Sequence, residues 1–332
     1  MNILAIETSC DETAASIVVD GTHVLSNVIL SQIDVHSVFG GVVPEVASRH
    51  HVVSIHSIIN EAITTSGLST ADIDVVAVTQ GPGLVGALMV GINAAKTFSY
   101  VHQLPLIGVD HLKGHIHAIS LSHTMQYPLM VLLVSGGHTE LVYMSGPNQY
   151  RLIGATKDDA VGEAYDKVAR TLGLGYPGGP LVDQQAQQGS PAYDLPTPLK
   201  DQDTFDFSFS GLKSAVINHV HNAKQKGQMI DVANMCASFQ KVVTDVLVDQ
   251  TIKAARLYQV QQVAVVGGVS ANRELRKKIN RYQEEFDIVV PAFEYCTDNA
   301  AMIGAAAFVK VQSGAAFDTI ELDATLFSEI ER

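Results

Sequence analysis

Two histidines, His111 and His115, lie four positions apart and directly follow the apolar segment 104–109. On a helix this spacing puts both imidazole rings on one face, one turn apart, where they can bind the same metal ion. A zinc-peptidase motif would place Glu directly after the first histidine as a general base, and this chain has Leu112 there. The pair therefore indicates either a metal site without peptidase chemistry or a chance spacing.

A third metal ligand is available from Asp298, which lies 183 residues after His115 (298 − 115). Two histidines and one carboxylate form a ligand set that leaves open positions on iron(II) or zinc. Thr297 or Asp298 is also a suitable N-cap for a helix predicted from about residue 299 to 312. Sequence spacing leaves both roles of Asp298 open.

Two polar turns, at residues 8–10 and 135–138, each follow a short apolar strand and could bind phosphate through backbone N–H groups. Ordinary turns have the same composition, but the matched positions favour two loops that hold one nucleotide. Residues 81–86 also match the G-x-G-x-x-G pattern of dinucleotide-binding turns, with Asp110 at the ribose position. Pro82 counts against that interpretation because it removes an amide from the phosphate cradle.

The elements that position these residues occur twice. A strand–polar turn–strand hairpin covers residues 3–19 and recurs at 129–144, and a strand–glycine turn–helix–strand unit covers residues 75–109 and recurs at 263–290. The second arrangement predicts parallel strands in a buried sheet. We therefore expect an α/β protein of two duplicated lobes, with ligands bound in the cleft between them.

The expected lobes are residues 1–125 together with 298–332, and residues 126–297. Glycine and proline indicate an irregular loop at 173–180 and an excursion at 190–209. Hydrophobic periodicity predicts helices at about 48–66, 85–101, 157–172, 230–259, 272–286 and 299–312.

Composition narrows the class of protein. The 332 residues are 47% hydrophobic and 17% charged, and no window is apolar enough to span a membrane, which indicates a soluble protein. The first residues lack the basic region of a signal peptide, and three separated cysteines suit a reducing cytoplasm. The net charge of −13 argues against unaided binding to nucleic acid, and the basic segment 273–281 is expected to be a solvated helix face.

A series of motifs extends in order over almost the whole chain. They are 7–13 (ETSCDET), 40–49 (GGVVPEVASR), 81–84 (GPGL), 111–115 (HLKGH), 134–139 (VSGGHT), 162–167 (GEAYDK), 176–180 (YPGGP), 206–213 (DFSFSGLK), 267–272 (GGVSAN) and 296–299 (CTDN). In this order they resemble the bacterial TsaD family, the transferase subunit for threonylcarbamoyladenosine (t6A) in tRNA.

The resemblance implies an actin-like ATPase (ASKHA) fold and transfer of a threonylcarbamoyl group from threonylcarbamoyl-AMP to N6 of adenosine 37 in tRNAs that read codons beginning with A. It also implies a metal, Fe²⁺ in preference to Zn²⁺, bound by His111, His115 and Asp298. The residues implied to contact the nucleotide intermediate are Val134, Ser135, Gly136, Gly137, His138, Asp166, Gly179, Asp183 and Asn272.

The implied partners, besides tRNA, are an inactive dimerising paralogue (TsaB-like), a P-loop ATPase (TsaE-like) and a separate enzyme that makes the adenylate. Asp11 and Glu12 are our candidates for positioning or deprotonating the adenine amine, with turn capping as the alternative role. Lys113 departs from the family, which usually has Glu within the histidine motif. Two other functions stay open at this point: a metallopeptidase-type hydrolase, and a non-catalytic nucleotide-binding scaffold.

Overall fold

The computed structural model describes residues 1–200 and 202–330. The strands are Asn2–Glu7 (β1), Glu12–Val19 (β2), His23–Ser31 (β3), Val75–Gly81 (β4), Leu106–Asp110 (β5), Leu129–Val134 (β6), Thr139–Gly146 (β7), Gln149–Ala155 (β8), Gln262–Val266 (β9) and Asp287–Val289 (β10). The α-helices are Ile33–Ser37 (α1), Pro44–Ser66 (α2), Val85–His102 (α3), His111–His117 (α4), Val161–Thr171 (α5), Gly178–Ala186 (α6), Ser210–Gln225 (α7), Val232–Leu257 (α8), Arg273–Ile279 (α9) and Ala300–Gln312 (α10).

The chain divides into two compact units. The first contains Met1–Met125, Pro147–Gln149 and the described residues from Pro291 onward, and the second contains Gln126–Gly146 and residues 150–290. Across both described ranges, no helix combines the length and the apolar character needed to cross a membrane.

Each unit is built on one five-stranded mixed sheet. The first has the order β3-β2-β1-β4-β5, in which β1 pairs antiparallel with β2 and parallel with β4. The second has the order β8-β7-β6-β9-β10, in which β6 pairs antiparallel with β7 and parallel with β9. The strand order is therefore the same in both sheets, which confirms the predicted internal duplication.

Strand β1 is buried on both faces of the first sheet. Leu4 and Ile6 pack in one apolar cluster with residues of α2 and α3, whereas Ile3 and Ala5 pack in another with residues of α10. Successive side chains of a strand point to opposite faces, so burial on both sides requires the continuous apolar run found in this segment. The second unit has its own apolar core, which includes Met130 of β6.

The predicted strand–helix–strand units are confirmed, because β4 pairs parallel with β5 and β9 with β10. Other elements differ from the prediction. Helix α9 ends at Ile279 and not near residue 286, and its face is not fully solvated: Lys278 is buried, with Nζ 2.7 Å from Thr244 Oγ1. Helix α6 begins at Gly178, inside a segment predicted to be irregular, because its first backbone amide is bonded to Asp166 Oδ1.

The N-cap of α10 is also different from the one predicted. Asn299 occupies this position, in an extended conformation, and its Oδ1 accepts a hydrogen bond of 3.0 Å from the backbone N–H of Met302. Neither Thr297 nor Asp298 caps the helix. The role of Asp298 is therefore not that of a helix cap.

Candidate functional site

Helix α4 carries both candidate metal histidines. It begins at the end of β5, where Asp110 Oδ1 accepts hydrogen bonds from the backbone N–H groups of Leu112 (2.8 Å) and Lys113 (3.1 Å). The rings of His111 and His115 lie on one face of the helix with their centroids 4.7 Å apart, and both residues are buried. The predicted one-turn spacing is therefore present.

Asp298 reaches the histidines because α10 packs closely against α4. A Cβ at Gly114 would lie 2.7 Å from Ile303 Cδ1, so only glycine permits this approach without a shift of the neighbouring side chain. Asp298 Oδ1 lies 3.1 Å from His115 Nε2 and 3.7 Å from His111 Nε2. The three potential ligand atoms all lie within 4.8 Å of one another, so they could hold one ion.

The donor set fits a divalent metal. Neither ring nitrogen of the fully buried His115 makes a hydrogen bond in the described part of the chain, although Nε2 is close to Asp298. Buried polar atoms normally have a partner, and a cation would supply one for Nε2. Two imidazole nitrogens and one carboxylate oxygen suit iron(II) or zinc and leave coordination positions open for a substrate.

A carboxylate behind the histidines was missed at the sequence level. Glu7, at the end of β1, is fully buried, and its Oε2 lies 3.0 Å from His111 Nδ1. Thr79 Oγ1 and the backbone N–H of Ser9 each donate to this carboxylate at 2.5 Å. The sequence did contain a signal, because Glu7 is an acidic residue at the end of an apolar strand. A carboxylate at such a position is costly to bury unless it has partners.

The acidic groups around His111 set its charge. Burial by itself would lower the pKa of His111, but the carboxylates of Asp298 and Glu7 outweigh burial and raise the pKa to about 9. Burial likewise favours a neutral Glu7, yet the charge and hydrogen bond of His111 hold the pKa of Glu7 below its ordinary value. Without a metal, the site therefore favours a positive charge at His111.

Asp11 and Glu12 lie in the same unit, at the turn from β1 into β2. Burial, followed by the negative charges of Asp298 and Asp11, raises the pKa of Glu12 well above its usual range. Ser31 Oγ donates to Glu12 Oε1 at 3.1 Å. A carboxyl group that feels the negative charges of two neighbouring carboxylates favours a bound cation.

The Gly81–Gly86 turn does not provide a dinucleotide cradle. A Cβ at Gly81 would collide with the backbone carbonyl of Thr325, and one at Gly83 would lie 2.6 Å from the Ser9 carbonyl oxygen. The glycines of this turn therefore permit close packing against other segments of the chain.

The second unit contains the predicted nucleotide-binding residues. Val134 ends β6, and the turn that follows is closed by a hydrogen bond from the His138 backbone N–H to Ser135 Oγ (3.1 Å). Gly136 and Gly137 are exposed, and added Cβ atoms there would meet nothing within 4 Å. Their backbone can therefore be approached closely by a ligand.

Helix α5 packs its first turn against this turn. The backbone N–H of Gly162 donates to the carbonyl of Ser135 at 3.2 Å, and a Cβ at Gly162 would lie 2.6 Å from that oxygen. The same helix carries Asp166, whose Oδ1 accepts a hydrogen bond of 2.7 Å from the backbone N–H of Gly178. Gly179 follows in α6 with open space at its Cα.

Asp183 and Asn272 are joined through a residue that sequence reasoning missed. Gln240 of α8 donates through Nε2 to Asp183 Oδ1 (3.1 Å) and accepts through Oε1 from Asn272 Nδ2 (2.8 Å). All three residues are buried. Burial raises the pKa of Asp183, and the hydrogen bond from Gln240 opposes that shift.

The duplicated sheets place the chain in the class of actin-like ATPase-fold (ASKHA) proteins. Component A of the Acidaminococcus fermentans (R)-2-hydroxyglutaryl-CoA dehydratase matches 94% of this chain and 99% of that chain, with a TM-score of 0.56 and 13% identity. Full-length HypF in its phosphate- and nucleotide-bound form matches 96% of this chain and 47% of that chain, with a TM-score of 0.63 and 14% identity. These similarities show the fold alone.

The sequence model of TsaD, tRNA N6-adenosine threonylcarbamoyltransferase, matches residues 23–305. A relative with that name from Halalkalibacterium halodurans is 57% identical over 310 residues, covering 93% of this chain and 90% of the relative. Another, from Geobacillus kaustophilus, is 56% identical over 315 residues, covering 94% and 92%. The chain belongs to the TsaD family. Neither the hydrolase nor the scaffold alternative is supported by these relatives.

Proposed function

We propose that this chain transfers the threonylcarbamoyl group from threonylcarbamoyl-AMP to N6 of adenosine 37 in tRNAs that read codons beginning with A, forming t6A. Membership of the TsaD family supports the reaction class. The structural observation that carries the proposal is the convergence of His111, His115 and Asp298 on one position. A Lewis acid is valuable in this reaction because the adenine amine is a weak nucleophile.

The proposed reaction is an acyl transfer. The N6 nitrogen attacks the carbonyl carbon of the mixed anhydride, a C–N bond forms, and the C–O bond to the phosphate breaks. AMP leaves with the electron pair of that bond, and the nitrogen loses one proton. A bound divalent metal would supply Lewis-acid polarisation of the carbonyl. Binding of the adenylate, orientation of the amine and acceptance of the proton are tasks for side chains and backbone groups of the chain.

We assign the adenylate to the second unit. The exposed backbone N–H groups at Gly136 and Gly137 would hold the phosphate and stabilise the charge that develops on departing AMP. Asp183 and Asn272, held by Gln240, offer polar groups to the nucleoside. The remaining proposed contacts are Val134, Ser135, His138, Asp166 and Gly179.

We assign one divalent cation to His111, His115 and Asp298, with Fe²⁺ preferred to Zn²⁺ because two histidines and one carboxylate form the ligand set typical of non-haem iron(II). Asp11 and Glu12 would orient or deprotonate the amine. A nearby cation favours the ionised form of a carboxyl group, so metal binding would increase the fraction of Glu12 that is ionised and able to accept a proton.

The proposed partners are tRNA, a dimerising paralogue (TsaB-like), a P-loop ATPase (TsaE-like) and an enzyme that makes threonylcarbamoyl-AMP. The net charge of −13 supports a need for partners in tRNA capture, since tRNA affinity depends on neutralising phosphates. A cytoplasmic location is supported by the absence of disulfides among the three cysteines, all of which lie in described segments.

Reconstitution tests this function. The purified chain, its partners, threonylcarbamoyl-AMP and a tRNA that reads a codon beginning with A should yield t6A, detected by mass spectrometry of nucleosides. His115→Ala should abolish product, whereas His221→Ala, at an exposed position of α7, should not. No product from an active adenylate supply would overturn the proposal. Metal analysis after anaerobic purification would decide between iron and zinc.

A further inference from the structure

A C-terminal segment of the first unit lies against β4 and β5, and β5 leads directly into the metal helix α4. We name residues 318–330 the strap. The Asp318 backbone N–H donates to the Leu106 carbonyl at 2.8 Å, and the Thr325 backbone N–H donates to the Gln80 carbonyl at 3.0 Å. Leu322 and Ile330 of the strap are each only 6% exposed. The strap is therefore attached to the unit at separate points, while Ile320, Leu326 and Phe327 between them are exposed.

The end of the strap binds the residue that caps α4. Ser328 Oγ and the backbone N–H of Glu329 donate to Asp110 Oδ2 at 2.8 and 2.7 Å. The other oxygen of the same carboxylate, Oδ1, caps α4 through Leu112 and Lys113. Asp110 is 3% exposed. Its orientation is consequently fixed from both sides, by the helix and by the strap.

Lys113 adds an ion pair to this contact. Its Nζ lies 2.5 Å from Glu329 Oε2, across 216 residues of sequence. The Lys113 side chain is 15% exposed and that of Glu329 is 42% exposed. Lys113 stands where the family usually has Glu. Its positive charge is paired with the negative charge of Glu329 in the same chain.

Helix α4 needs such support. It has seven residues, and a helix of this length is not stable alone, yet it carries both metal histidines. Metal ligands must be held within about half an ångström of their productive geometry. The first turn of α4 and the end of the strap share the Asp110 carboxylate, so loss of the strap contacts would remove one of the two constraints on this cap.

We propose that the strap is a latch that holds α4 in its metal-binding position, with Ser328 and Glu329 as positioning residues that act through Asp110 and Lys113. This inference rests on the metal site of the proposed function. The strap would thus help the site to retain its metal without providing a ligand.

The first test ends the chain at Leu326, which removes Ser328, Glu329 and the buried Ile330 but keeps the packing of Leu322. Zn²⁺ affinity, measured by competition with a chromophoric chelator, should fall about tenfold, the usual cost of losing support around metal ligands. Hydrogen exchange of the α4 amides in the metal-free chain should become faster. An unchanged affinity together with unchanged exchange would overturn the latch.

The second test exchanges charges in the full chain. Glu329→Lys places a third cation beside Lys113 and Lys310 and should weaken Zn²⁺ binding several-fold, while Lys113→Glu combined with Glu329→Lys should restore it. Glu321→Lys, with the same charge change at an exposed strap position, should have no effect. Weakening by Glu321→Lys equal to that by Glu329→Lys, or no rescue in the double variant, would contradict the proposal.

Different results would contradict the metal site and the latch. If neither the full nor the shortened chain binds Zn²⁺ or Fe²⁺, the proposed metal site is wrong. Faster exchange of the α4 amides on shortening would still support a latch on the helix, because that measurement uses no metal.

Discussion

Oε2 of Glu7 lies 3.0 Å from Nδ1 of His111, so a fully buried carboxylate faces a proposed metal ligand from behind. An imidazole that donates its Nδ1 proton to a carboxylate directs Nε2 toward the metal and becomes a stronger ligand. Nε2 of His111 lies 3.7 Å from Asp298 Oδ1. Glu7 therefore selects the tautomer that the three-residue site requires.

Glu7→Gln keeps the size of the side chain and removes its charge. The affinity for Co²⁺ should fall about ten- to a hundredfold, the range found for residues that orient metal ligands, while the stoichiometry stays near one. Titration with Co²⁺ followed by absorption spectroscopy measures both quantities. Glu61→Gln, at an exposed position of α2, is the control. Equal affinity in the two variants would exclude an orienting role for Glu7.

Asp298 and Asn299 are adjacent but have separate roles, which predicts opposite phenotypes. Asp298→Asn should lose bound metal but leave α10 capped, and in the metal-free chain the loss of its attraction to His111 is offset by the loss of its repulsion of Glu12. Asn299→Ala should keep the metal and lose about 1 kcal/mol, because its Oδ1 accepts the Met302 backbone N–H at 3.0 Å. Metal analysis and urea unfolding with a chelator distinguish them. Destabilisation by Asp298→Asn and not by Asn299→Ala would reverse the assignment.

Local sequence patterns were sufficient to predict the repeated parts of the fold. A continuous apolar run predicts β1, and a pair of glycines predicts the turn after β9. The four-residue spacing of His111 and His115 is enough to predict that they share one helix face. The cap of α10 was predicted incorrectly because Asp298 and Asn299 are both good capping residues. Which of them caps depends on how α10 packs, and that packing is not visible in a local window.

Long-range partners could not be predicted from the sequence. Lys113 and Glu329 are 216 positions apart, and nothing in either segment indicates the other. Gln240 lies in a long helix, where a single polar residue is ordinary. Its function as a bridge requires α6 and the N-terminus of α9 to meet α8 at that position, which only the tertiary structure establishes.

Gln240→Leu should weaken nucleotide binding without affecting the metal. The change leaves Asp183 Oδ1 and Asn272 Nδ2 without the partners they have at 3.1 and 2.8 Å. Each lost hydrogen bond holds a proposed nucleotide contact in position, so the affinity for threonylcarbamoyl-AMP should fall about tenfold, measured by calorimetry. Lys241→Ala, one position along on an exposed face, is the control. A loss of metal with full nucleotide affinity would contradict the assignment of Gln240.

Asp159 of the second unit predicts a pH-dependent stability. Its carboxylate lies 3.1 Å from Lys167 Nζ and 2.6 Å from Lys213 Nζ. Burial would raise the pKa of Asp159, but the two lysines outweigh burial and lower the pKa below its ordinary value of 3.8. A carboxyl group with a lowered pKa stabilises the folded state above its unfolded pKa, and that contribution is lost as the pH falls through the folded pKa.

Asp159→Asn should therefore lower the free energy of unfolding by about 1–2 kcal/mol at pH 7, between the values typical of exposed and buried ion pairs. The difference from the unsubstituted chain should begin to shrink as the pH falls below the ordinary carboxyl pKa of 3.8, and it should vanish only below the still lower pKa of the folded state. Urea unfolding at a series of pH values measures this. Asp203→Asn removes an ion pair with Lys253 in which the aspartate is 98% exposed, and should cost less than about 0.5 kcal/mol. A difference for Asp159→Asn that does not change between pH 7 and pH 3 would show that its charge is not the cause.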